Sequence, residues 1–279
     1  MDKAALEFML QQVADHKLSP DMVLTKIMEK SLNLAPQGGD PTAELKQNFS
    51  GGYNELGFAK VDTDRERRNG FPEVIFGQGK TAEQIIAISR VLEAKGSNLL
   101  TTRIDGVKAE AVQTALPEYV YDAAAECLCF KQHEPPFLGK VAVVTAGTAD
   151  HKVAEEAAVV GDFLGLKISR IYDVGVAGIH RLLDKVNLIN DHEVVICVAG
   201  MEGALVSVLG GLIDKPLLAV PSGIGYGIGA DGITTLMAML NSCASGVAVL
   251  NIGNGFGSAY MAATICRQIR IAERKIKEK

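Results

Sequence analysis

The sequence predicts an α/β protein whose C-terminal half is a doubly wound, five-stranded parallel sheet, preceded by a smaller α/β region. Three observations carry this expectation. From Lys140 onward, short runs of Val, Ile, Leu and Ala (VAVVTA, KISRIYD, VVICVA, PLLAV and VAVLN) alternate with helical segments, as successive βαβ units require. These runs have mostly lost the apolar-polar alternation of half-exposed strands, which marks a sheet covered on both faces. The hydrophobic fraction is 48%, with aromatics at 5% and no Trp, so the core is built from Ala, Val, Leu and Ile, a composition suited to tight layering.

The 279 residues are comfortable for two domains, since one domain usually spans ~100–200 residues. Residues 4–14 and 20–29 read as short helices, the second capped by Ser19 with Pro20 at its first helical position. Between Asn33 and Lys60 the chain is broken by Gly and Pro and has little periodicity, the pattern of a long connecting loop. EVIFG, a helix from Thr81 to Ala94 and the run NLLTTRI then form a small βαβ unit. A further helical piece and the apolar YVYDAAAECLCF complete an N-terminal region of residues 1–135. The step His133-Glu134-Pro135-Pro136 sets the boundary with a second domain, 136–279. Its five strands are followed by a C-terminal helix from Ser258 to Lys277 with a charged, solvated tail.

A net charge of −5 supplies no overall basic field, so nucleic acid is not the expected partner. The N-terminus is amphipathic, and no run reaches the ~18–20 apolar residues of a membrane span. A soluble, cytoplasmic protein without membrane contact is expected. Five irregularly spaced cysteines fit neither a disulfide framework nor paired zinc ligands, and reduced thiols are the simpler account.

Ligands of open parallel sheets bind at the carboxyl ends of the strands, near the point where the winding reverses. The corresponding turns read GTAD (147–150), DVGVAGIHR (173–181), AGMEGAL (199–205), PSGIGYG (221–227) and NIGNGFGS (251–258). Glycine turns of this kind let backbone N–H groups approach an anion. GTAD, with the Thr148 hydroxyl, is the best phosphate cradle, although such turns occur in most α/β sheets. Neither G-x-G-x-x-G after the first strand nor G-x-x-x-x-G-K-[ST] is present, which argues against a Rossmann dehydrogenase or a P-loop ATPase. Glu202 stands in a stretch nearly free of other charge. Partial burial would make it a general acid or base; the alternative is a favourable first-turn carboxylate. Asp150, Asp173, His180 and Arg181 share the rim. His180 is either a proton shuttle or structural, and Arg181 either an anion clamp or a surface ion-pair partner. Cys243, in LMAMLNSCASGVAVLN, falls in a small-residue turn at the edge of the sheet, read as a ligand-binding edge. It is either packing material or a reactive thiol. Cys127, Cys129, Cys197 and Cys266 are assigned no chemistry.

Together, GTADHKVAEEA, YDVGVAGIHRLL, AGMEGALVSVLGGLIDKPLLAVPSGIGYG and MLNSCASGVAVLNIGNGFG closely resemble the LarB family. DTDRERRNGFPEVIFGQGKT (62–81) resembles that family's N-terminal motif. The C-terminal half is similar in plan to the purine-pathway carboxylase PurE, a flavodoxin-like arrangement whose octamers share active sites between subunits. The resemblance implies carboxylation of the pyridinium ring of nicotinate adenine dinucleotide at C5 by CO2, supplied as CO2/bicarbonate. Hydrolysis of the phosphoanhydride accompanies it. The products are pyridinium-3,5-biscarboxylic acid mononucleotide and AMP, the first step toward the nickel-pincer nucleotide of lactate racemase.

The resemblance further implies Cys243 as nucleophile and Glu202 as acid/base, with Asp150 and His180 orienting substrate or moving protons. Substrate binding falls to Gly147 and Thr148; Asp173 and Arg181; Gly200, Met201 and Gly203; Ser222, Gly225, Tyr226 and Gly227; and Asn241 and Ser242. A homo-octamer is implied, with no tightly bound cofactor and no nickel site. Mg2+ would enter only with the substrate phosphates. Two turns depart from the family's common NIDNGFG and PTSVGYG-like forms: NIGNGFG, where Gly253 removes a carboxylate, and PSGIGYG. The competing readings are an aminoimidazole ribonucleotide carboxylase and a non-catalytic nucleotide-binding module.

Overall fold

The computed structural model describes residues 52–278. The helices expected over residues 4–14 and 20–29, and the loop from Asn33 as far as Gly51, lie outside these residues. From Tyr53 the expected loop gives way to a short antiparallel hairpin, β1 (Tyr53–Glu55) with β2 (Lys60–Asp62). Three-residue strands leave too little sequence for alternation to register. A single turn, α1 (Arg65–Asn69), follows.

The N-terminal sheet has the order β3-β4-β6-β5. β3 (Val74–Phe76) and β4 (Leu99–Thr102) are parallel and joined by α2 (Ala82–Glu93), the expected βαβ unit. Thr81 and Gln84 form a reciprocal capping box that starts α2. α3 (Gly106–Ala115) is started by Asp105, whose side chain accepts from Lys108 N–H. β5 (Val120–Asp122) and β6 (Cys127–Phe130) form a hairpin closed by Asp122, whose carboxylate takes the N–H groups of Ala124 and Ala125.

The C-terminal sheet is wholly parallel, in the order β11-β10-β9-β7-β8. Its strands are β7 (Gly139–Thr145), β8 (Leu166–Ile171), β9 (Val194–Ala199), β10 (Leu217–Pro221) and β11 (Val247–Val249). Numbered from β7, the order is that of a flavodoxin-like sheet, with the winding reversed between β7 and β9. The alternating residues of one strand feed two different cores. Val141 and Val143 of β7, with Ile196 of β9 and Val220 of β10, face α4 (His151–Phe163) and α9 (Gly255–Lys277). Ala142, Val144, Cys197 and Ala219 face the opposite layer, which comprises α5 (Ile179–Leu183), α6 (Val186–Asn190), α7 (Ala204–Gly210) and α8 (Ile233–Leu240). This double coverage is why the strands read as continuous apolar runs.

Small residues set the depth of the first layer. α4 and α9 meet through Ala154, Ala157, Ala158, Ala259, Ala262 and Ala263, all fully buried. α9 starts at Gly255, where a Cβ would stand 2.3 Å from the carbonyl oxygen of Val153. Glycine there lets two helices touch at backbone distance. Both sheets belong to one compact unit, Gly52–Lys279, and Leu100 and Cys127 of the N-terminal sheet share the core of α4 and α9. Among the described residues no helix is long and apolar enough to cross a membrane.

Candidate active site

The turns leaving β7, β8 and β9 enclose a cleft of about 260 Å³ at the point of reversal. Asp150 forms its most constrained wall. β7 ends at Thr145, a single 3-10 turn spans Thr148–Asp150, and α4 begins at the next residue. The Asp150 side chain folds back so that Gly147 N–H donates to Oδ2 at 2.9 Å, while the Ser222 hydroxyl and Gly200 N–H approach the same carboxylate. Burial raises the Asp150 pKa above the ordinary carboxylate value, and these donors partly oppose the rise. The result is a buried carboxyl able to change protonation state at the base of a cleft.

The neighbouring turn has no room for side chains. At Gly200 a Cβ would lie 2.4 Å from the Ile224 carbonyl oxygen and 2.8 Å from Ser222 Oγ. Met201 follows in the left-handed region, φ 55. Its N–H donates to Ile224 O at 2.8 Å, and its carbonyl accepts from the Thr235 hydroxyl. The turns after β9 and β10 are thereby tied together, with Gly203 packed on Met239 at the start of α7. Glu202 lines the cleft but is exposed, so its expected partial burial is not met. It sits in the turn beyond the strand end, where solvent reaches it, and the buried carboxyl is Asp150 instead.

Arg181 lines the cleft and donates to Asp173 at 2.6 Å. Asp173 is itself held in the left-handed region, φ 58, with its N–H on Thr145 Oγ1. Because both partners are about half exposed, the pair is weak and Arg181 is available to an anion. Thr148 and His180 are exposed and do not line the cleft. Gly225, Tyr226 and Gly227 form an exposed loop after β10, with Tyr226 83% exposed. Gly175 and Ile224 also line the cleft, beyond the site residues expected from sequence. Gly175 was legible in DVGVAG as another close-approach glycine: a Cβ there would meet Ala146 O at 2.6 Å.

Cys243 lies elsewhere. The sequence predicts it at the ligand-binding edge, but α8 carries the chain back from the carboxyl rim, so the turn before β11 stands at the amino edge of the sheet. The N–H of Leu217, first residue of β10, donates to Gly246 O, and Ser242 bonds Ser207 of α7, Oγ to Oγ, at 2.8 Å. Asn241 and Ser242 share this position. The eight residues of α8 put about 12 Å of helix between the two edges. Of the five cysteines, Cys243 alone is exposed. Burial pushes the other four thiols up, Cys129 to about 12 and Cys266 to about 11, which keeps them protonated and inert.

Among the described residues, no group of three or more His, Cys, Asp or Glu side chains gathers as a metal-ligand set.

Residues 53–132 match the family model of the LarB/PurE-like N-terminal domain, and residues 140–279 match that of AIR carboxylase. An uncharacterised protein of Methanocaldococcus jannaschii, MJ0165, is 40% identical over 253 residues, 85% of this chain and 96% of that protein. Among solved structures, the methanol:cobalamin methyltransferase complex MtaBC of Methanosarcina barkeri aligns with a TM-score of 0.36 at 11% identity, over 65% of this chain and 63% of that one. A likeness that weak carries no argument.

Proposed function

The chain belongs to the LarB family, with a PurE-like, carboxylase-type C-terminal domain, and from that premise we propose that it carboxylates nicotinate adenine dinucleotide at C5 of the pyridinium ring and hydrolyses its phosphoanhydride. The products are pyridinium-3,5-biscarboxylic acid mononucleotide and AMP. The observation that carries the reading is the solitary exposure of Cys243 among five cysteines.

A pyridinium carbon is electron-poor and cannot attack CO2. Addition of the Cys243 thiolate to C6 breaks aromaticity and gives a neutral 1,6-dihydropyridine, in which the ring nitrogen feeds electron density to C5. C5 attacks CO2 and forms the new C–C bond, leaving an iminium. A base removes the C5 proton and regenerates the dienamine. The nitrogen lone pair then expels the thiolate and restores the aromatic ring. Asp150 is the residue best suited to take that proton, because burial raises its pKa. Glu202 and Arg181, exposed on the same cleft, hold the polar end of the substrate, with Mg2+ accompanying its phosphates.

Cys243 and Asp150 stand at opposite edges of one sheet, so the chemistry requires Cys243 of one copy to meet the cleft of another. The face of α8 that precedes Cys243 supports this arrangement. Ile233, Met237 and Leu240 recur at helical spacing and are exposed, an apolar stripe of the kind that a second copy covers.

An aminoimidazole ribonucleotide carboxylase would act on a carbon already nucleophilic and would need no thiol. The two readings separate on incubation with nicotinate adenine dinucleotide and labelled bicarbonate, followed by mass spectrometry. AMP and a labelled dicarboxylated mononucleotide are expected. Their absence, with carboxylation of aminoimidazole ribonucleotide instead, would establish the other activity.

A further inference from the structure

A second cavity lies between the N-terminal sheet and helices α4 and α9. Its two adjoining compartments, about 360 and 330 Å³, share Arg103 and Glu156 as a common wall. Their combined size suits a small organic ligand. The backbone around this cleft is strained: Arg103, after β4, has φ 52 and Glu126, before β6, has φ 49. The two are tied through Ile104 N–H donating to Glu126 O at 3.0 Å. Non-glycine residues held in this region are costly and collect at ligand sites.

The strained positions aim both side chains across the cleft. Arg103 Nε donates to Glu156 at 3.3 Å and its Nη2 to Gly253 O, while Glu126 holds Lys152 at 2.7 Å. Glu156 is 4% exposed and also accepts the Phe256 N–H at 3.2 Å, so Arg103 is fixed. Lys108 and Lys152 are different, because their partners Asp105 and Glu126 are partly exposed. Such solvent-screened pairs are weak and yield to a stronger anion. Gly253 leaves the floor open, with no atom within 4 Å of where a Cβ would stand. The first compartment thus offers one fixed guanidinium and two ammonium groups free to change partner. The second is lined by the rings of Phe76 and Phe256, and the Arg103 guanidinium lies 5.9 Å from the Phe76 ring centre. A flat, electron-rich ring fits beside these groups.

We propose that this cleft binds a nucleoside 5′-monophosphate, its phosphate on Arg103, Lys108 and Lys152 and its base against Phe76 and Phe256. The nucleotide arrives either as half of a dinucleotide or as a free effector.

Calorimetric titration of the full chain with AMP, adenosine and inorganic phosphate tests the site. AMP is expected to bind at least about tenfold more tightly than adenosine or phosphate, and Lys108→Gln with Lys152→Gln to weaken AMP by about tenfold, the worth of a charge-assisted hydrogen bond. Asp150→Asn should leave AMP affinity unchanged. These lysine variants carry the test because Lys152 is exposed and Lys108 partly so, whereas Arg103→Gln also strands the buried Glu156. Absence of AMP binding, or affinity lost in Asp150→Asn and kept in the lysine variants, would overturn the proposal. Competition separates the two sources: a dinucleotide that displaces AMP carries its own adenylate into the cleft, and one that binds beside AMP leaves the cleft to a free effector. AMP binding is read without turnover, so its loss and a failure of carboxylation are distinguishable.

Discussion

At the carboxyl edge of the C-terminal sheet the backbone is locked against itself. Met201 and Ile224 are bonded, Gly200 admits no side chain, and Asp150 is buried with its carboxylate on Gly147 N–H. At the amino edge, Ser242 bonds Ser207 and the nearby Ala244 N–H, and beside it Cys243 stands exposed on a turn that leads into a short edge strand. The rigid edge suits a carboxyl whose proton affinity must be held away from its solution value. The open edge suits a thiol that must reach another molecule. Neither edge alone contains both an exposed thiol and a buried carboxyl, so the proposed chemistry needs the two groups to meet between copies.

The largest expected effect is at the open edge. Cys243→Ala should abolish carboxylation, a loss of about a thousandfold or more for a covalent step, while leaving the fold intact. Iodoacetamide applied to the native chain should label one cysteine, and that label should vanish in the variant. Labelling of Cys127, Cys129, Cys197 or Cys266 at a comparable rate would erase the distinction between the exposed thiol and the other four.

At the locked edge, Asp150→Asn should lower turnover by about 10²–10⁴-fold, the usual worth of a general base. Burial raises the Asp150 pKa in the folded state, so ionisation there requires a pH above the ordinary carboxylate range. The rate should rise with pH through that raised value, and this limb should disappear in Asp150→Asn. The same shift acts on stability in the opposite sense. The contribution of this carboxyl is fully present below its unfolded pKa and is lost as pH rises through the folded one, so the melting temperature should fall over that window.

Smaller effects follow from the two turns. Gly200→Ala forces a methyl group into Ile224 O and Ser222 Oγ and should cost about 1–3 kcal/mol in denaturant unfolding, with activity falling as the cleft opens. Ser242→Ala removes the half-buried bond to Ser207 and the longer local one from Ala244 N–H and should cost about 0.5–1.5 kcal/mol. A greater cost at Ser242 than at Gly200 would reverse the assignment of rigid and open edges.

Much of this architecture was legible in the residues. The five apolar runs became five parallel strands because covered strands must be apolar on both faces, and the capping box at Thr81 located α2. What failed were features set by three-dimensional placement. The hairpin from Tyr53 to Asp62 was hidden by its length. Glu202 looked buried because its neighbours in sequence are apolar, yet it lies beyond the strand end. The position of Cys243 was recoverable: in a right-handed βαβ unit a helix-to-strand turn returns to the amino edge, and Cys243 lies in such a turn. The Arg103 cleft left no local signal, since its walls come from residues 76 to 256.

The central claim is that Asp150 and Cys243 act together from different copies. Mixing Asp150→Asn with Cys243→Ala chains, each inactive alone, and reassembling them tests it directly. With one residue drawn from each of two copies, about a quarter of the sites in an even mixture carry both native groups, and activity should return to roughly that fraction. No recovery in an assembly shown to contain both variants would contradict the account and place the two residues in the site of a single chain.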